Sequence, residues 1–238
     1  MEEQSFKTEV SETLDNEIII AKHEFKMRWT ELVVTLLALV AGVALFCLNL
    51  VDLLGLSLIV LGALWNFFTD SNKFFACIMA FLMCVAYGFI AGGMKIYGHA
   101  FLHILFYLPT QLIYYYETNK EDNAIKKDKK LTQNGYIGTV VCFWLMAFGL
   151  GIVLYKVGDP FYIMDALSST LLVVSVFLVN GKYREYYPVR VFATTFATIM
   201  WTVIGIKTGF AVNTAIFVTL FAMYTVMDSI KWVRWSKN

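Results

Sequence analysis

One apolar segment in the second half of the chain carries an arginine, hydroxyl groups and aromatic rings at helical spacing. These residues follow one another at intervals of three, four, four and three positions: Tyr187, Arg190, Thr194, Thr198 and Trp201. In an α-helix such intervals place side chains on one face. The rings offer surfaces for stacking, and guanidinium and hydroxyl groups can orient a polar edge. The pattern therefore predicts a face that binds a flat, polar molecule.

Three further apolar segments show faces of the same kind. Their candidate substrate-binding residues are His103, Tyr107, Gln111 and Tyr114 on the first segment, Asp165 and Ser169 on the second, and Asn213 and Tyr224 on the third. Polar groups are costly inside a membrane, so they usually face the interior of a helix bundle or a cavity. We therefore expect the four faces to converge on one water-accessible chamber.

Several of these residues also have a simpler structural interpretation. The hydroxyl group of Thr198 could bond the backbone of its own helix, as threonine commonly does in membranes. The Arg190 side chain could extend to the lipid headgroups, and Tyr187 and Trp201 could anchor helix ends at the membrane interface. His99 is expected to contact water, because it lies near a predicted helix end.

The sequence carries no recognisable motif for catalysis or for a cofactor. It has no HExxH zinc signature, no nucleophile elbow and no phosphate-binding glycine loop. His99 and His103 are four residues apart, but no acidic third ligand follows nearby in the sequence. We therefore expect no catalytic residue, no metal site and no cofactor, and the protein is predicted not to be an enzyme.

The composition indicates a membrane protein. Hydrophobic residues make up 59% of the chain and charged residues 16%, whereas soluble domains average about 45–50% and 25%. A membrane span needs about 20 mainly apolar residues, and its backbone must be helical to satisfy its hydrogen bonds. The sequence therefore predicts an all-α membrane protein with eight transmembrane helices, at residues 31–50, 54–70, 74–94, 98–117, 136–156, 160–180, 187–206 and 209–230.

Basic residues are distributed unevenly between the loops of this arrangement. Only Lys95, Lys156 and Lys207 lie in the loops on one side, and the remaining lysines and arginines outside the spans lie on the other. Basic loops stay in the cytoplasm. The charge pattern therefore places both termini in the cytoplasm of a multi-pass protein.

A weak internal repeat suggests how the helices are grouped. The segments "IAGGMKIYGHAFL" (90–102) and "VIGIKTGFAVNTA" (203–215) share glycines and a lysine at corresponding positions. Transporters are often built from such repeats. The predicted regions are a polar cytoplasmic N-terminal segment (1–30), an extra N-terminal helix (31–50), a first three-helix bundle (54–117), a cytoplasmic linker loop (118–135), a linker helix (136–156), a second three-helix bundle (160–230) and a cytoplasmic tail (231–238).

Two stretches of the sequence resemble the corresponding stretches of the PnuC family of bacterial nicotinamide riboside transporters. They are "YGHAFLHILFYLPTQLIYYY" (97–116) and "MDALSSTLLVVSVFLVNGKYREYY" (164–187), and the arrangement of three, one and three helices is similar. The resemblance implies two three-helix bundles joined by a linker helix, as in SWEET proteins. It also implies facilitated diffusion across the bacterial plasma membrane, trapping of the substrate through phosphorylation by a cytoplasmic kinase, and a homotrimer.

The sequence departs from the family at the ligand motif. Family members carry Trp-x-x-Trp-x-x-x-Asn on the seventh span, and these positions fall on Tyr187, Arg190 and Thr194 here. An arginine suits a carbonyl-rich or acidic group better than a cationic pyridinium. The expected substrate is therefore a nucleoside-like or vitamin-like molecule, with another nucleoside, a deoxynucleoside or a B vitamin as the alternative to nicotinamide riboside. A membrane scaffold that transports nothing is the alternative of another class.

Overall fold

The computed structural model describes residues 29–30, 32–69, 73–110, 112–113, 129–181, 183–209 and 214–236. Within these residues every regular element is a helix, and the one strand-like contact is an isolated bridge between Lys129 and Tyr183. The predicted all-α class is confirmed. It follows from long apolar runs whose backbone groups must pair within the same segment.

The helices are numbered in chain order. Their bounds are Leu32–Cys47 for α1, Leu53–Thr69 for α2, Lys73–Gly93 for α3, Tyr97–Phe101 followed by a π-helical stretch at Leu102–Tyr107 for α4, Gln133–Val157 for α5, Tyr162–Asn180 for α6, Tyr186–Thr208 for α7 and Thr214–Trp235 for α8.

Five of these helices, α3 and α5 to α8, contain apolar stretches long enough to cross a membrane. The apolar helices α1 and α2 are shorter, and part of the predicted fourth span, residues 114–117, lies outside the described residues. The count of eight spans therefore stays a prediction.

The helices pack as two neighbouring sets. In one set α3 lies against α2 and α4, and in the other α7 lies against α6 and α8. Contacts of α2 with α8 and of α4 with α6 join the two sets. The shared core is formed by fully buried apolar side chains, among them Trp201, Phe217, Leu58 and Ile59. The two sets therefore form one packed body around a shared apolar core.

Helix α5 connects the sets and is the most exposed helix. It packs on α6, and only Ala147 and Leu154 among its residues are buried. Thr132 caps its start by accepting a hydrogen bond from the Gly135 amide at 3.2 Å, and Gly158 ends it with a left-handed φ of 83°. Its aliphatic and aromatic surface is typical of a helix that contacts lipid.

A buried carboxylate on α6 holds the beginning of α4. Asp165 accepts hydrogen bonds from the amides of Gly98 at 2.6 Å and His99 at 3.0 Å, and its Oδ1 lies 2.6 Å from His99 Nδ1. Ser169 donates a further bond to Asp165 at 3.0 Å. We call Gly98, His99, Asp165 and Ser169 the α4 anchor. Helix N-termini favour such contacts, because their free amides and dipole attract a negative charge.

The expectation that His99 contacts water is wrong. Its side chain is fully buried, and Asp165, far away in the sequence, supplies the hydrogen-bond partner that water was expected to supply. The Ser168 hydroxyl lies 3.3 Å from His99 Nε2, on the other side of the ring. Both ring nitrogens therefore have protein partners.

The loop between α5 and α6 extends the anchor through a second carboxyl group. Asp159, which is buried, accepts hydrogen bonds from the amides of Tyr97 at 3.0 Å and Phe161 at 2.7 Å. Burial, together with a hydrogen bond to Asp165, raises the pKa of Asp159 to about 7. Asp159 therefore acts as a proton-carrying partner of Asp165 when the pH is below neutral.

Gly98→Ala should destabilise the protein. A Cβ at this position would lie 2.7 Å from the carboxyl carbon and both oxygens of Asp165, so α4 or α6 would have to shift. We expect a loss of about 3 kcal/mol from overpacking and weakened charged hydrogen bonds, measured by unfolding in detergent. Gly149→Ala is the control, because a Cβ on Gly149 would contact nothing within 4 Å. Equal stability of both variants would contradict the anchor.

The raised pKa of Asp159 predicts a dependence of stability on pH. The folded state binds the proton more tightly than the unfolded state, whose aspartates have a pKa of about 3.9, so this contribution is present at low pH. It should decrease as the pH rises from about 4 to about 7, where the folded group titrates, and then level off. Asp159→Asn, which keeps a donor toward Asp165, should flatten this part of the curve in thermal unfolding measured between pH 5 and 8. An identical pH profile for the variant would contradict the assignment.

Candidate functional site

A narrow cavity lies between the two helix sets. Residues from α2, α3, α4, α6, α7 and α8 line it: Trp65, Met83, Cys84, Tyr87, His103, Tyr107, Leu172, Arg190, Thr194, Leu220, Phe221 and Tyr224. Its volume is about 40 Å³, enough for a few water molecules at about 10–15 Å³ each. Ligand pockets usually enclose about 300–1,000 Å³. This conformation is therefore contracted, and a ligand must separate the helices to enter.

Three stacked rings form one wall of the cavity. The ring of His103 lies between those of Tyr87, at 3.7 Å between centroids, and Tyr107, at 5.1 Å. His103 Nδ1 is 2.8 Å from the carbonyl oxygen of His99. A carbonyl can only accept, so Nδ1 carries the proton, and Nε2 of the neutral ring remains an acceptor. The wall offers flat surfaces with a few polar atoms at their edges.

The π-helical stretch of α4 carries two of these rings. Pro109 follows it and has no amide hydrogen, so the Leu105 carbonyl lacks the partner that an α-helix would provide. Widened turns of this kind accommodate such an interruption and often occur at functional sites. The α4 anchor fixes the start of the same helix, so it also determines the positions of His103 and Tyr107.

Trp201 supports the ring wall from behind. It is fully buried, and its Nε1 donates a hydrogen bond to the Tyr87 hydroxyl at 3.0 Å. Its ring also lies 4.1 Å from that of Phe217, between centroids. Complete burial excludes the interpretation of Trp201 as a membrane-interface anchor. Trp201 instead holds the Tyr87 ring in position.

An ion pair forms the opposite edge of the cavity. Arg190 Nε on α7 lies 3.0 Å and 3.1 Å from the two carboxylate oxygens of Asp228 on α8. The Arg190 side chain is 24% exposed and that of Asp228 12%, so the carboxylate lies deeper in the protein. Arg190 therefore faces the cavity with a protein partner, which does not fit the interpretation that it extends to lipid headgroups.

The threonines of α7 divide into two roles. Thr194 lines the cavity, and its hydroxyl donates to the Arg190 carbonyl at 2.9 Å. Thr198 donates to the Thr194 carbonyl at 2.8 Å, and its oxygen lies 3.4 Å from the Thr225 hydroxyl. Both hydroxyls therefore bond their own helix, and Thr198, which does not line the cavity, fits this simpler interpretation alone.

The structure brings part of the predicted set together. His103, Tyr107, Arg190, Thr194 and Tyr224 line the cavity. Asp165 and Ser169 belong to the α4 anchor, Thr198 and Trp201 lie outside the lining, and the Tyr187 ring packs 4.2 Å from that of Tyr186. Gln111, Tyr114 and Asn213 lie outside the described residues.

Several residues of the cavity were not predicted from the sequence. They are Trp65, Met83, Cys84, Tyr87, Leu172 and Phe221, together with the ion-pair partner Asp228. Trp65 and Tyr87 are aromatic residues with a polar atom in apolar segments, so the rule applied to the other helices could have found them. Asp228 follows Tyr224 by one helical turn and could have been found from the same face of α8.

A larger groove on α5 and α6 does not suit a polar ligand. It has a volume of about 480 Å³, and Trp144, Phe148, Ile152 and Ile163 are among its lining residues. Its surface is almost wholly apolar, so it offers few donors and acceptors that could orient a polar ligand. In the described part of the chain, no group of three or more histidine, cysteine, aspartate or glutamate residues could hold a metal ion.

Comparisons with known proteins agree on one family. Residues 52–237 match the family model described as nicotinamide mononucleotide transporter. The nicotinamide riboside transporter PnuC of Neisseria mucosa is 20% identical over 227 residues, which is 91% of this chain and 85% of the relative. The crystal structure of the vitamin B3 transporter PnuC has a similar fold, with a TM-score of 0.70 at 19% identity over 90% of this chain and 95% of the solved one.

Tyr87→Phe tests the support of the ring wall. Loss of the hydroxyl leaves the fully buried Trp201 Nε1 without its acceptor, which should cost about 1–3 kcal/mol, measured by unfolding in detergent. Tyr155→Phe on the exposed side of α5 is the control and should change stability little. Equal effects of the two substitutions would show that the Tyr87 hydroxyl has no structural role.

Proposed function

This chain belongs to the nicotinamide mononucleotide transporter family, and we propose that it carries a nucleoside-like or vitamin-like molecule through the cavity between its two helix sets. It is a PnuC-type transporter and a multi-pass membrane protein. The observation that carries the substrate proposal is the composition of the cavity wall, where three stacked rings face an arginine and a threonine. A heterocyclic base can stack on the rings while the arginine donates to its carbonyl oxygens.

We infer the class of substrate from the residues that stand where the family resemblance implies the ligand motif. The names of the relatives point to nicotinamide riboside as the default ligand. Its pyridinium ring is a cation, however, and the resemblance places Arg190 at the position of the second family tryptophan. A base rich in carbonyl groups fits this wall better, so another nucleoside or deoxynucleoside is the favoured alternative, and a B vitamin is the next.

Transport requires the cavity to open to one side at a time. A volume of about 40 Å³ cannot hold a nucleoside, so the helix sets must separate and close again around the ligand, as repeat-based transporters do. We propose facilitated diffusion without ion coupling, with phosphorylation by a cytoplasmic kinase trapping the product. The remaining parts of the proposal are a bacterial plasma membrane location, cytoplasmic termini and a homotrimer.

The alternative of a scaffold protein depends on the polar N-terminal segment, which lies outside the described residues. The family is one of transporters, and the match covers residues 52–237. This favours transport over a scaffold role.

Arg190→Ala should weaken ligand binding strongly. It removes the main hydrogen-bond donor of the cavity wall, and we expect affinity to fall by about tenfold or more. Purified protein is screened against nucleosides, deoxynucleosides, nicotinamide riboside and B vitamins by thermal shift, because a ligand that binds the folded state raises the unfolding midpoint. Uptake of the labelled ligand into liposomes then tests transport.

The matched control is Thr195→Ala on the same helix, since the Thr195 side chain is exposed and its hydroxyl bonds the Val191 carbonyl. Circular dichroism tests whether each variant is folded. If Arg190→Ala does not fold, Tyr107→Ala on the opposite wall of the cavity takes its place. Unchanged affinity in a folded Arg190→Ala protein would exclude Arg190 from the pathway. A wild-type protein that binds and transports no member of the panel would contradict the proposed substrate class.

A further inference from the structure

The charges at the edge of the cavity balance each other. Among the described residues that line the cavity, Arg190 is the one with a permanent charge, and no carboxylate is part of the lining. Asp228 lies behind it, 3.0 Å from Nε, and is less exposed than the arginine. The side that a ligand contacts therefore presents a guanidinium group whose charge is already neutralised by the protein.

The placement of the pair links it to the ligand-contacting faces of two helices. Arg190 and Thr194 are one turn apart on α7, and Tyr224 and Asp228 are one turn apart on α8. Thr194 and Tyr224 both line the cavity. A charged ligand in this space would therefore lie near both members of the pair and would disturb their balance.

We propose that Asp228 sets the charge selectivity of the transporter, so that the cavity accepts uncharged nucleosides and rejects both phosphorylated nucleosides and cationic pyridinium nucleosides. This inference rests on the proposed function and narrows its substrate class. Arg190 donates hydrogen bonds to an uncharged base, and Asp228 is the positioning residue that holds the guanidinium group. A phosphate meets a guanidinium group whose charge Asp228 already compensates, and a pyridinium cation meets the like charge of Arg190, so each lacks a free counter-charge.

The same balance affects retention of the substrate. A nucleoside that gains a phosphate in the cytoplasm becomes a dianion at neutral pH. The cavity that admitted the uncharged molecule would then bind the product poorly. Selection against charge would keep the phosphorylated product inside without any further device in the protein.

The test compares matched ligands of different charge. Full-length protein in detergent is titrated with uridine, thymidine, their 5′-monophosphates and nicotinamide riboside by calorimetry at constant salt concentration. We expect the wild type to bind an uncharged nucleoside more tightly than its monophosphate and than nicotinamide riboside. Asp228→Asn leaves the charge of Arg190 uncompensated, so the ratio of the affinity for the monophosphate to that for the nucleoside should rise about tenfold. Arg190→Gln should raise the ratio of the affinity for nicotinamide riboside to that for the nucleoside about tenfold.

The controls separate charge from structure. Lys231 lies one turn beyond Asp228 on α8, outside the cavity lining. Lys231→Gln should therefore leave both affinity ratios unchanged. Arg190→Gln combined with Asp228→Asn should return both ratios toward the wild-type values. If one of the single variants does not fold, Thr194→Asp is used in its place. It keeps the Arg190–Asp228 ion pair, adds a carboxylate to the cavity lining and should raise the affinity for nicotinamide riboside relative to that for the uncharged nucleoside.

The outcomes distinguish this inference from the proposed function. Opposite shifts in the two single variants support it. Unchanged ratios in folded variants, a shift of both variants in the same direction, or a wild type that prefers a charged ligand overturns it and leaves transport of nucleosides intact. A wild type that binds none of these ligands contradicts the proposed nucleoside substrate and removes the inference with it.

Discussion

The architecture depends on how one buried carboxylate is satisfied. Asp165 has no exposed surface and is surrounded by apolar helices, where an unpaired charge would be prohibitively costly. Two amides at the start of α4, the His99 ring and the Ser169 hydroxyl supply its hydrogen bonds. The contacts with Gly98 and His99 cross from one helix set to the other, and they fix the start of the helix that carries His103 and Tyr107. The position of the cavity wall is thus a consequence of this requirement.

The ring wall and the opposite edge of the cavity are stabilised by different kinds of interaction. At the ring wall, the Trp201–Tyr87 hydrogen bond and the stack through His103 hold rigid rings that carry almost no charge. At the opposite edge, Arg190 and Asp228 form a pair that is partly accessible. Rings and a compensated ion pair are well suited to a ligand with a flat base and a polar sugar. A similar fold is found in the solved vitamin B3 transporter PnuC.

Hydropathy and helical spacing predicted the helical class, the long apolar helices and five residues of the cavity, because these depend on local sequence. The burial of His99 and the role of Asp165 could not be predicted, since the two residues are 66 positions apart and nothing local indicates that they meet. A polar stripe shows that a helix face has a partner, but it does not show which partner. The hydroxyl groups of Ser169 and Thr198 form hydrogen bonds within the protein and do not line the cavity. Asp228 was not predicted, although it lies one turn from Tyr224 on the same face of α8.

The small volume of the cavity has a consequence for the cell. About 40 Å³ holds only a few waters, and aromatic rings and aliphatic side chains enclose much of that space. Among the described residues, a cavity of this size is too small to hold a continuous file of water across a bilayer about 30 Å thick. In this conformation the cavity itself would therefore give ions no water-filled route along which an electrochemical gradient could be dissipated.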